Sequence, residues 1–419
     1  MKTKAVRLHG VNDLRLEEIE LPPITDDELL VKIIADSVCM SSYKAATQGP
    51  AHKRVPNDVA DNPTIIGHEF CGEIVQVGKN LTDRYKEGQR FAMQPAMLDT
   101  HEAAGYSFTH IGGNMEYGII PKCYIDQDCV LPFEGDGFYQ GSLTEPLSCV
   151  IGATHASYHT KQGVYVHDMG IRDKGNMAIL GGCGPMGLAL VDYIIHREGL
   201  RPSLLVVTDV RQENLDVAEK SVSVEEAAKE GIKLVYINAK CESYVDEMMK
   251  LTEGKGYDDI FIFVPVASLI EQGDSMLGYD GCLNFFAGPS DKKFAAKFNF
   301  YDVHYNATHI VGTSGGNTAD MTEALNMAAK GRLNPSILLS HIGGLDAAAH
   351  ATLELPNIPG FKKLIYNHIS MPLTAIADFA EKGKTDPMYK ELAGICERHN
   401  GLWSAEAEKY LLENAPKIS

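Results

Sequence analysis

Three separated segments of the sequence carry side chains that could together bind a metal ion. They contribute a thiol at Cys39, an imidazole and a carboxylate at His68 and Glu69, and a carboxylate or thiol at Glu145 or Cys149. A catalytic zinc ion is bound by about three such ligands and keeps one position open. A single cysteine is more often a small core residue. Together these segments could supply the ligands of a catalytic zinc, whereas no segment indicates a metal by itself.

A fourth segment could bind a dinucleotide. The apolar run Met177–Leu180 leads into a turn whose glycines fit the pattern G-x-G-x-x-G. The first glycine permits a tight turn, the second lets the backbone approach a pyrophosphate, and the third lets helix and strand pack closely. A helix that begins after the turn would direct free N–H groups at the phosphates. The predicted binding residues here are Gly182, Gly184, Pro185, Met186 and Gly187.

The choice between NAD(H) and NADP(H) depends on a carboxylate further along the chain. Asp209 lies 22 residues beyond Gly187, at the end of a second predicted strand. A carboxylate at this place binds the ribose hydroxyls and repels a 2′-phosphate, which favours NAD(H). Arg211 could instead accommodate a 2′-phosphate, so NADP(H) stays open.

Two kinds of pattern surround these segments. Residues 1 to about 155 predict short strands separated by Gly and Pro, at Leu29–Ile34, Gly72–Val77, Tyr117–Ile120 and Tyr124–Leu131. From about Gly175, predicted strands alternate with predicted helices. The strands are Met177–Leu180, Leu204–Asp209, Lys233–Ile237, Asp259–Val264 and Cys282–Phe286, and the helices are Leu188–Arg197 and Asn214–Lys229. This alternation predicts an α/β architecture with a parallel, doubly wound sheet.

Composition excludes several classes of partner. The 419 residues carry a formal net charge of −18, which disfavours nucleic acid and anionic membranes. The nine scattered cysteines indicate reduced thiols rather than a disulfide framework. The opening residues show no apolar stretch of the signal-peptide kind, so we expect a cytoplasmic protein.

Several motifs resemble those of the zinc-containing medium-chain alcohol and polyol dehydrogenases. The segment Gly67-His68-Glu69-x-x-Gly72 is similar to the family signature, and Cys39 lies 29 residues upstream of His68, as the first zinc ligand does in the family. Gly112-Gly113-Asn114-Met115-Glu116-Tyr117 resembles another family segment, and Glu145-Pro146-Leu147-Ser148 resembles the polyol branch.

The resemblance implies a fold and a division of the chain. A discontinuous, mostly-β GroES-like catalytic domain would occupy residues 1–160 and 313–419, the latter including the C-terminal tail. A Rossmann cofactor domain would occupy residues 161–312. The family also implies a homodimer or homotetramer.

The resemblance also implies roles for individual residues. Cys39 and His68 would bind zinc, and either Glu69 or Glu145 would bind it directly or through water, with Cys149 a weaker rival to Glu145. Ser41 would relay the substrate proton. Zinc would act as a Lewis acid on the substrate oxygen, and the nicotinamide would exchange the hydride.

Two departures from the family pattern matter. The family often places an aspartate beside the ligand histidine, where this chain has Ser42, so the support of His68 is open. Many relatives carry a structural zinc lobe of four cysteines, but Gln89–Ile111 contains no cysteine. We therefore expect one catalytic zinc and no structural zinc.

The substrate is predicted to be a sugar alcohol or ketose. The long tail, with Cys396-Glu397-Arg398-His399-Asn400-Gly401, resembles the L-sorbose 1-phosphate reductases, which implies a ketose phosphate and a hexitol phosphate as the reactants. The cations Lys44, His52, Lys53 and Arg54 could hold the phosphate, or could lie on a solvated loop. Three alternatives stay open: an unphosphorylated polyol as substrate, a zinc-free reductase, and a non-catalytic relative.

Overall fold

The computed structural model describes residues 1–161 and 163–419. The strands are β1 (Lys2–Gly10), β2 (Asp13–Glu20), β3 (Leu29–Val38), β4 (Thr64–Ile65), β5 (Phe70–Val77), β6 (Arg90–Met93), β7 (Tyr117–Ile120), β8 (Val130–Pro132), β9 (Tyr158–Thr160), β10 (His167–Met169), β11 (Asn176–Leu180), β12 (Leu204–Asp209), β13 (Lys233–Asn238), β14 (Tyr257–Ile262), β15 (Leu277–Phe285), β16 (His309–Val311), β17 (Leu339–Gly344), β18 (Lys362–Tyr366) and β19 (Thr374–Ala375). The helices are α1 (Met40–Gln48), α2 (Lys122–Asp126), α3 (Phe138–Ala156), α4 (Pro185–His196), α5 (Gln212–Ser221), α6 (Val224–Lys229), α7 (Tyr244–Leu251), α8 (Ala267–Ser275), α9 (Phe300–Tyr305), α10 (Thr318–Ala329), α11 (Ala348–Leu353), α12 (Phe379–Lys382), α13 (Pro387–Arg398) and α14 (Ala405–Asn414).

One compact unit, Pro146–Asp320 with Lys330–Asn334, is built on a parallel sheet. Its strand order is β13-β12-β11-β14-β15-β16, and every neighbouring pair is parallel. This is the 3-2-1-4-5-6 order of the doubly wound dinucleotide-binding fold. The predicted Rossmann class is confirmed. In this fold ligands bind at the carboxyl ends of the strands, where the strand order reverses, which is here between β11 and β14.

The other compact unit, Met1–Glu145 with Met321–Ala329 and Pro335–Ser419, is mostly β. Its larger sheet runs β19-β17-β18-β3-β5-β6-β8, and β7 also pairs with β3. Alternate residues Leu29, Val31 and Ile33 of β3 are fully buried in the core of this unit. We expected the first domain boundary near residue 160, whereas the two compact units divide between residues 145 and 146, inside α3.

The predicted strand Tyr124–Leu131 is wrong. The segment forms helix α2 and the short strand β8 instead. The adjacent residues Tyr124 and Ile125 are both buried, as on a helix face but not on a half-buried strand. Asp128, with a φ of 54°, then turns the chain before β8 begins.

The predicted helix Asn214–Lys229 is interrupted. It divides into α5 and α6, because Val222 is extended and Ser223 starts a new helix. The Ser223 hydroxyl accepts a hydrogen bond from the backbone N–H of Glu226 at 3.1 Å. Ser and Glu three residues apart are the sequence signature of a helix start. The remaining predicted strands and the helix at Leu188–Arg197 are confirmed to within a few residues.

Among the described residues, no helix is both long enough and apolar enough to cross a lipid bilayer.

Candidate metal and cofactor site

Strand pairing brings two of the predicted metal-binding segments together. Cys39 follows β3 and caps α1, while His68 and Glu69 directly precede β5. The two strands are antiparallel, with Asp36 opposite Phe70, so the end of one meets the start of the other. One ligand atom from each of Cys39, His68 and Glu69 lies within 4.8 Å of the others. Thiolate, imidazole and carboxylate at this spacing fit the donor chemistry of a zinc site.

A buried carboxylate holds the backbone of this segment. Asp36 accepts a hydrogen bond from the Glu69 N–H at 3.1 Å and one from the Asn114 side chain at 2.8 Å. Burial raises the pKa of Asp36 to about 8. Gly67 has a φ of +95°, and a Cβ there would lie 2.0 Å from the Asn114 amide, so only glycine fits before the ligands. Asp36 was not predicted, because a single aspartate just past the predicted strand Leu29–Ile34 gives no signal of its own.

His68 has two hydroxyl neighbours. The Ser42 hydroxyl lies 3.1 Å from Nδ1, and the Tyr106 hydroxyl lies 3.0 Å from Nδ1 and 3.2 Å from Nε2. Ser42 therefore contacts the histidine that the family often supports with an aspartate. The Ser42 hydroxyl contacts Nδ1 and not Nε2, which makes Nε2 the nitrogen better suited to a metal.

Glu69 forms a buried ion pair that the sequence did not reveal. The Lys362 ammonium donates to its two carboxylate oxygens at 2.5 and 2.7 Å, and these side chains are 8 % and 1 % exposed. The Ser37 hydroxyl also donates to Glu69. Burial opposes ionisation of Glu69, but the charges of Lys362 and His68 and the hydrogen bonds from Lys362 and Ser37 together outweigh it and lower the pKa of the carboxyl. Lys362 begins β18, which pairs with β3 and so returns to the site from late in the chain.

Glu145 lies outside the tight set of ligand atoms but close enough to interact with it. Burial raises the pKa of Glu145 to about 7, His68 and Lys362 act to lower it, and Glu69 and Cys39 act to raise it. Burial likewise raises the pKa of the Cys39 thiol to about 11. Ser41, the predicted proton relay, is exposed in the first turn of α1. Cys149 falls in the other compact unit.

The four predicted phosphate-binding cations differ in their exposure and in their contacts. The Arg54 guanidinium carbon stands 5.5 Å from the centre of the Tyr106 ring, and the His52 ring stacks on the same tyrosine at 5.6 Å. Burial and the charges of Arg54, Lys53 and Lys44 lower the pKa of His52 to about 4. Lys53 is exposed and Lys44 is partly buried. Two members of the cluster thus reach the aromatic neighbour of His68.

The glycine turn in the parallel-sheet unit has the features that a dinucleotide needs. A Cβ on Gly182 would lie 2.5 Å from Ile179, and one on Gly187 would lie 2.1 Å from the Gly182 carbonyl oxygen. A Cβ on Gly184 would meet nothing within 4 Å, so its absence leaves open space for a ligand. Among the residues that the structure describes, no side chain caps the N-terminus of α4, where Pro185 takes the first turn and Met186 follows. The free N–H groups there suit a phosphate.

Asp209 stands at the carboxyl end of β12, next to this turn in the sheet. Its carboxylate accepts a hydrogen bond from the Arg211 N–H at 2.9 Å. The Asn214 side-chain amide lies within hydrogen-bond distance of Asp209 and of the Arg211 guanidinium. Acid and base are therefore neighbours at the position that distinguishes the two cofactors.

A second group of possible ligands, His159, Asp280 and His309, lies in the same unit. These side chains already form hydrogen bonds or ion pairs with one another and with neighbouring residues. Asp280 accepts from the Thr160 N–H at 2.9 Å and from Arg172 at 2.6 Å. Both nitrogens of His309 lie within 3 Å of backbone carbonyl oxygens. We interpret the group as a structural hydrogen-bond network.

Comparison with known proteins identifies the family. Residues 25–127 match the alcohol dehydrogenase GroES-like domain, and residues 185–330 match the zinc-binding dehydrogenase domain. The chain is 50 % identical to mannitol-1-phosphate 5-dehydrogenase of Aliivibrio fischeri over 98 % of each chain. It is 48 % identical to L-sorbose 1-phosphate reductase of Klebsiella pneumoniae, over 100 % of this chain and 99 % of that one. The chain belongs to the zinc-containing medium-chain dehydrogenases.

The solved structures agree on the fold. The 2R,3R-butanediol dehydrogenase of Bacillus subtilis superimposes with a TM-score of 0.69 at 21 % identity, covering 87 % of this chain and 99 % of that one. The predicted family, fold class and enzyme class are thereby confirmed: the protein is a zinc-dependent oxidoreductase of the alcohol and polyol dehydrogenase type.

Proposed function

We propose that this dehydrogenase transfers hydride between a nicotinamide cofactor and a phosphorylated sugar, interconverting a ketose phosphate and a hexitol phosphate. The observation that carries the proposal is the position of Arg54. Its guanidinium packs on Tyr106, whose hydroxyl contacts His68 of the metal-binding set. A cation fixed this close to the reacting end can bind a phosphate carried by the same small substrate. The two sugar-phosphate enzymes among the relatives support the same substrate class.

We propose further that Cys39, His68 and Glu69 hold one zinc ion, with Glu145 close to its remaining position. Bound zinc would supply Lewis-acid activation of the substrate oxygen. Lys362 keeps Glu69 ionised and oriented, while Ser42 and Tyr106 orient His68. Ser41 lies on the exposed side of α1, where its hydroxyl can pass the substrate proton to solvent. With no cysteine in Gln89–Ile111, a structural zinc is not expected.

NAD(H) is the proposed cofactor. The Asp209 carboxylate would bind the ribose hydroxyls and repel a 2′-phosphate. The catalytic efficiency kcat/KM should be higher with NADH than with NADPH, and Asp209→Asn should narrow the difference. A clear preference of the unchanged enzyme for NADPH would contradict this choice, and a selective loss of NADPH activity in Arg211→Ala would then assign the 2′-phosphate to Arg211.

The phosphate proposal is tested by two neighbouring cations. We expect kcat/KM to be higher for L-sorbose 1-phosphate than for free sorbose, fructose or sorbitol. Arg54→Gln should lower it for the phosphorylated substrate by roughly ten- to a hundredfold, since a charge-assisted hydrogen bond contributes about 1.5–3 kcal/mol. The exposed neighbour provides the control, because Lys53→Gln should have a much smaller effect. Equal or better turnover of free polyols would make the protein a polyol dehydrogenase without a phosphate-binding site.

A further inference from the structure

The segment without cysteines, Gln89–Ile111, folds back onto the backbone of the metal-binding segment. Gly105 has a φ of +83°, and a Cβ there would lie 2.0 Å from the carbonyl oxygen of Gly67. The Ala104 N–H donates to the Tyr124 hydroxyl at 2.5 Å, and that hydroxyl donates to the Pro95 carbonyl at 2.9 Å. The segment Gln89–Ile111 is therefore packed against Gly67, and this packing places the residue after Gly105 in contact with His68.

That residue is Tyr106, which is buried and has neighbours of two kinds. Its hydroxyl reaches His68, while its ring is covered by the Arg54 guanidinium and stacks on His52 at an angle of 11°. The Ser107 hydroxyl donates to the Arg54 carbonyl at 2.6 Å and ties the two segments together. One side chain thus spans from the metal-binding set to the cationic segment.

The donors and acceptors around the Tyr106 hydroxyl indicate which hydrogen bonds it can form. Within the described residues, its hydrogen-bond partner is His68 alone. An imidazole that binds a metal through Nε2 carries its proton on Nδ1 and cannot accept another. The Ser42 and Tyr106 hydroxyl oxygens both lie near this one proton, so the phenol can at most accept from His68, and its own proton needs an acceptor elsewhere. A substrate oxygen beside the metal-binding set would provide one.

We propose that Tyr106 is a substrate-binding residue. Its hydroxyl donates a hydrogen bond to an oxygen at the reacting end of the sugar, and its ring holds the Arg54 guanidinium where it can bind the phosphate of the same substrate. The contribution of the ring rests on the proposed phosphate specificity. The contribution of the hydroxyl does not, because any sugar or polyol supplies an oxygen there.

Tyr106→Phe tests the hydroxyl and keeps the ring. We expect KM to rise roughly three- to tenfold for phosphorylated and free sugars alike, as for the loss of one neutral hydrogen bond. Zinc per chain, measured by mass spectrometry of the intact protein, should stay at the unchanged value. Tyr85→Phe is the control for loss of a buried phenol elsewhere, since the Tyr85 hydroxyl accepts only from Arg84 among the described residues.

Tyr106→Leu tests the ring. Beyond the effect of Tyr106→Phe, it should lower kcat/KM roughly two- to fivefold for phosphorylated substrates only, which corresponds to the loss of a cation–π contact. A fall in zinc content with unchanged KM in Tyr106→Phe would overturn the proposal and make the residue a support for His68. Unchanged zinc and kinetics would overturn it as well. If the unchanged enzyme handles phosphorylated and free sugars alike, the phosphate proposal fails, but Tyr106→Phe on free sugar still decides the role of the hydroxyl.

Discussion

Lys362 is distant in sequence from the metal-binding residues, and strand β18 brings its side chain beside Glu69. Its ammonium and the Glu69 carboxylate neutralise each other in a buried place, where an unpaired charge is very unfavourable. Both therefore act as one unit, and the position of the carboxylate depends on the lysine.

Lys362→Met should lower the free energy of unfolding by about 3–5 kcal/mol, because it leaves the Glu69 charge buried and unpaired. Urea unfolding of the zinc-free protein measures this. The double variant Lys362→Met, Glu69→Gln removes both charges and should recover part of the loss. A change below about 1 kcal/mol in the single variant, the size of an exposed pair, would show that water reaches Glu69.

At the scale of elements, the last helix supports the helix that carries Glu145. Glu408 of α14 accepts hydrogen bonds from the N–H groups of Phe138 and Tyr139 at 2.5 and 2.8 Å, at the start of α3. It also accepts from the Tyr366 hydroxyl at 2.7 Å. A carboxylate at a helix N-terminus accepts hydrogen bonds from free N–H groups and interacts favourably with the positive end of the helix dipole.

Glu408→Ala should lower the free energy of unfolding by at least about 2 kcal/mol, since three buried donors lose their acceptor. The same helix offers a matched control in Glu406, which pairs with Arg398 at the surface with half of its side chain exposed. Glu406→Ala should cost about 0–1 kcal/mol. Equal losses in the two variants would mean that α14 contributes only through its apolar packing.

The strong local signals in the sequence predicted the elements well. The glycine turn between β11 and α4 and the alternating apolar runs of the parallel sheet have fixed spacings that identify them. The segment that became α2 was misread, because five residues are too few to show helical periodicity. Lys362 could not be found, since it is nearly three hundred residues from Glu69 and only sheet pairing brings them together. Tyr106 was missed because it sits in a loop held by Gly105.

At the scale of the whole molecule, partly buried histidines should make the protein sensitive to acid. Burial lowers the pKa of His52, His341 and His368 to about 4 each. In the unfolded chain they take up protons near pH 6.5. Between pH 6.5 and 4 the unfolded state therefore binds more protons, and the free energy of unfolding falls as the pH falls, by up to about 1.4 kcal/mol per pH unit for each histidine.

Urea unfolding at pH 7 and pH 5 measures this slope. His341→Gln should make it shallower, whereas replacement of the exposed His101 by Gln should leave it unchanged. A free energy of unfolding that is constant from pH 7 to pH 5 would show that these rings take up protons in the folded protein.

The proposed zinc site combines two distant segments, Cys39 from one and His68 with Glu69 from the other, and holds one zinc ion in each chain. Mass spectrometry of the intact, purified protein should find one zinc ion per chain, as expected for a catalytic site alone. His68→Ala and Cys39→Ala should lose it, while Cys149→Ala should keep it. Two zinc ions per chain, or full zinc retention in His68→Ala, would contradict the account.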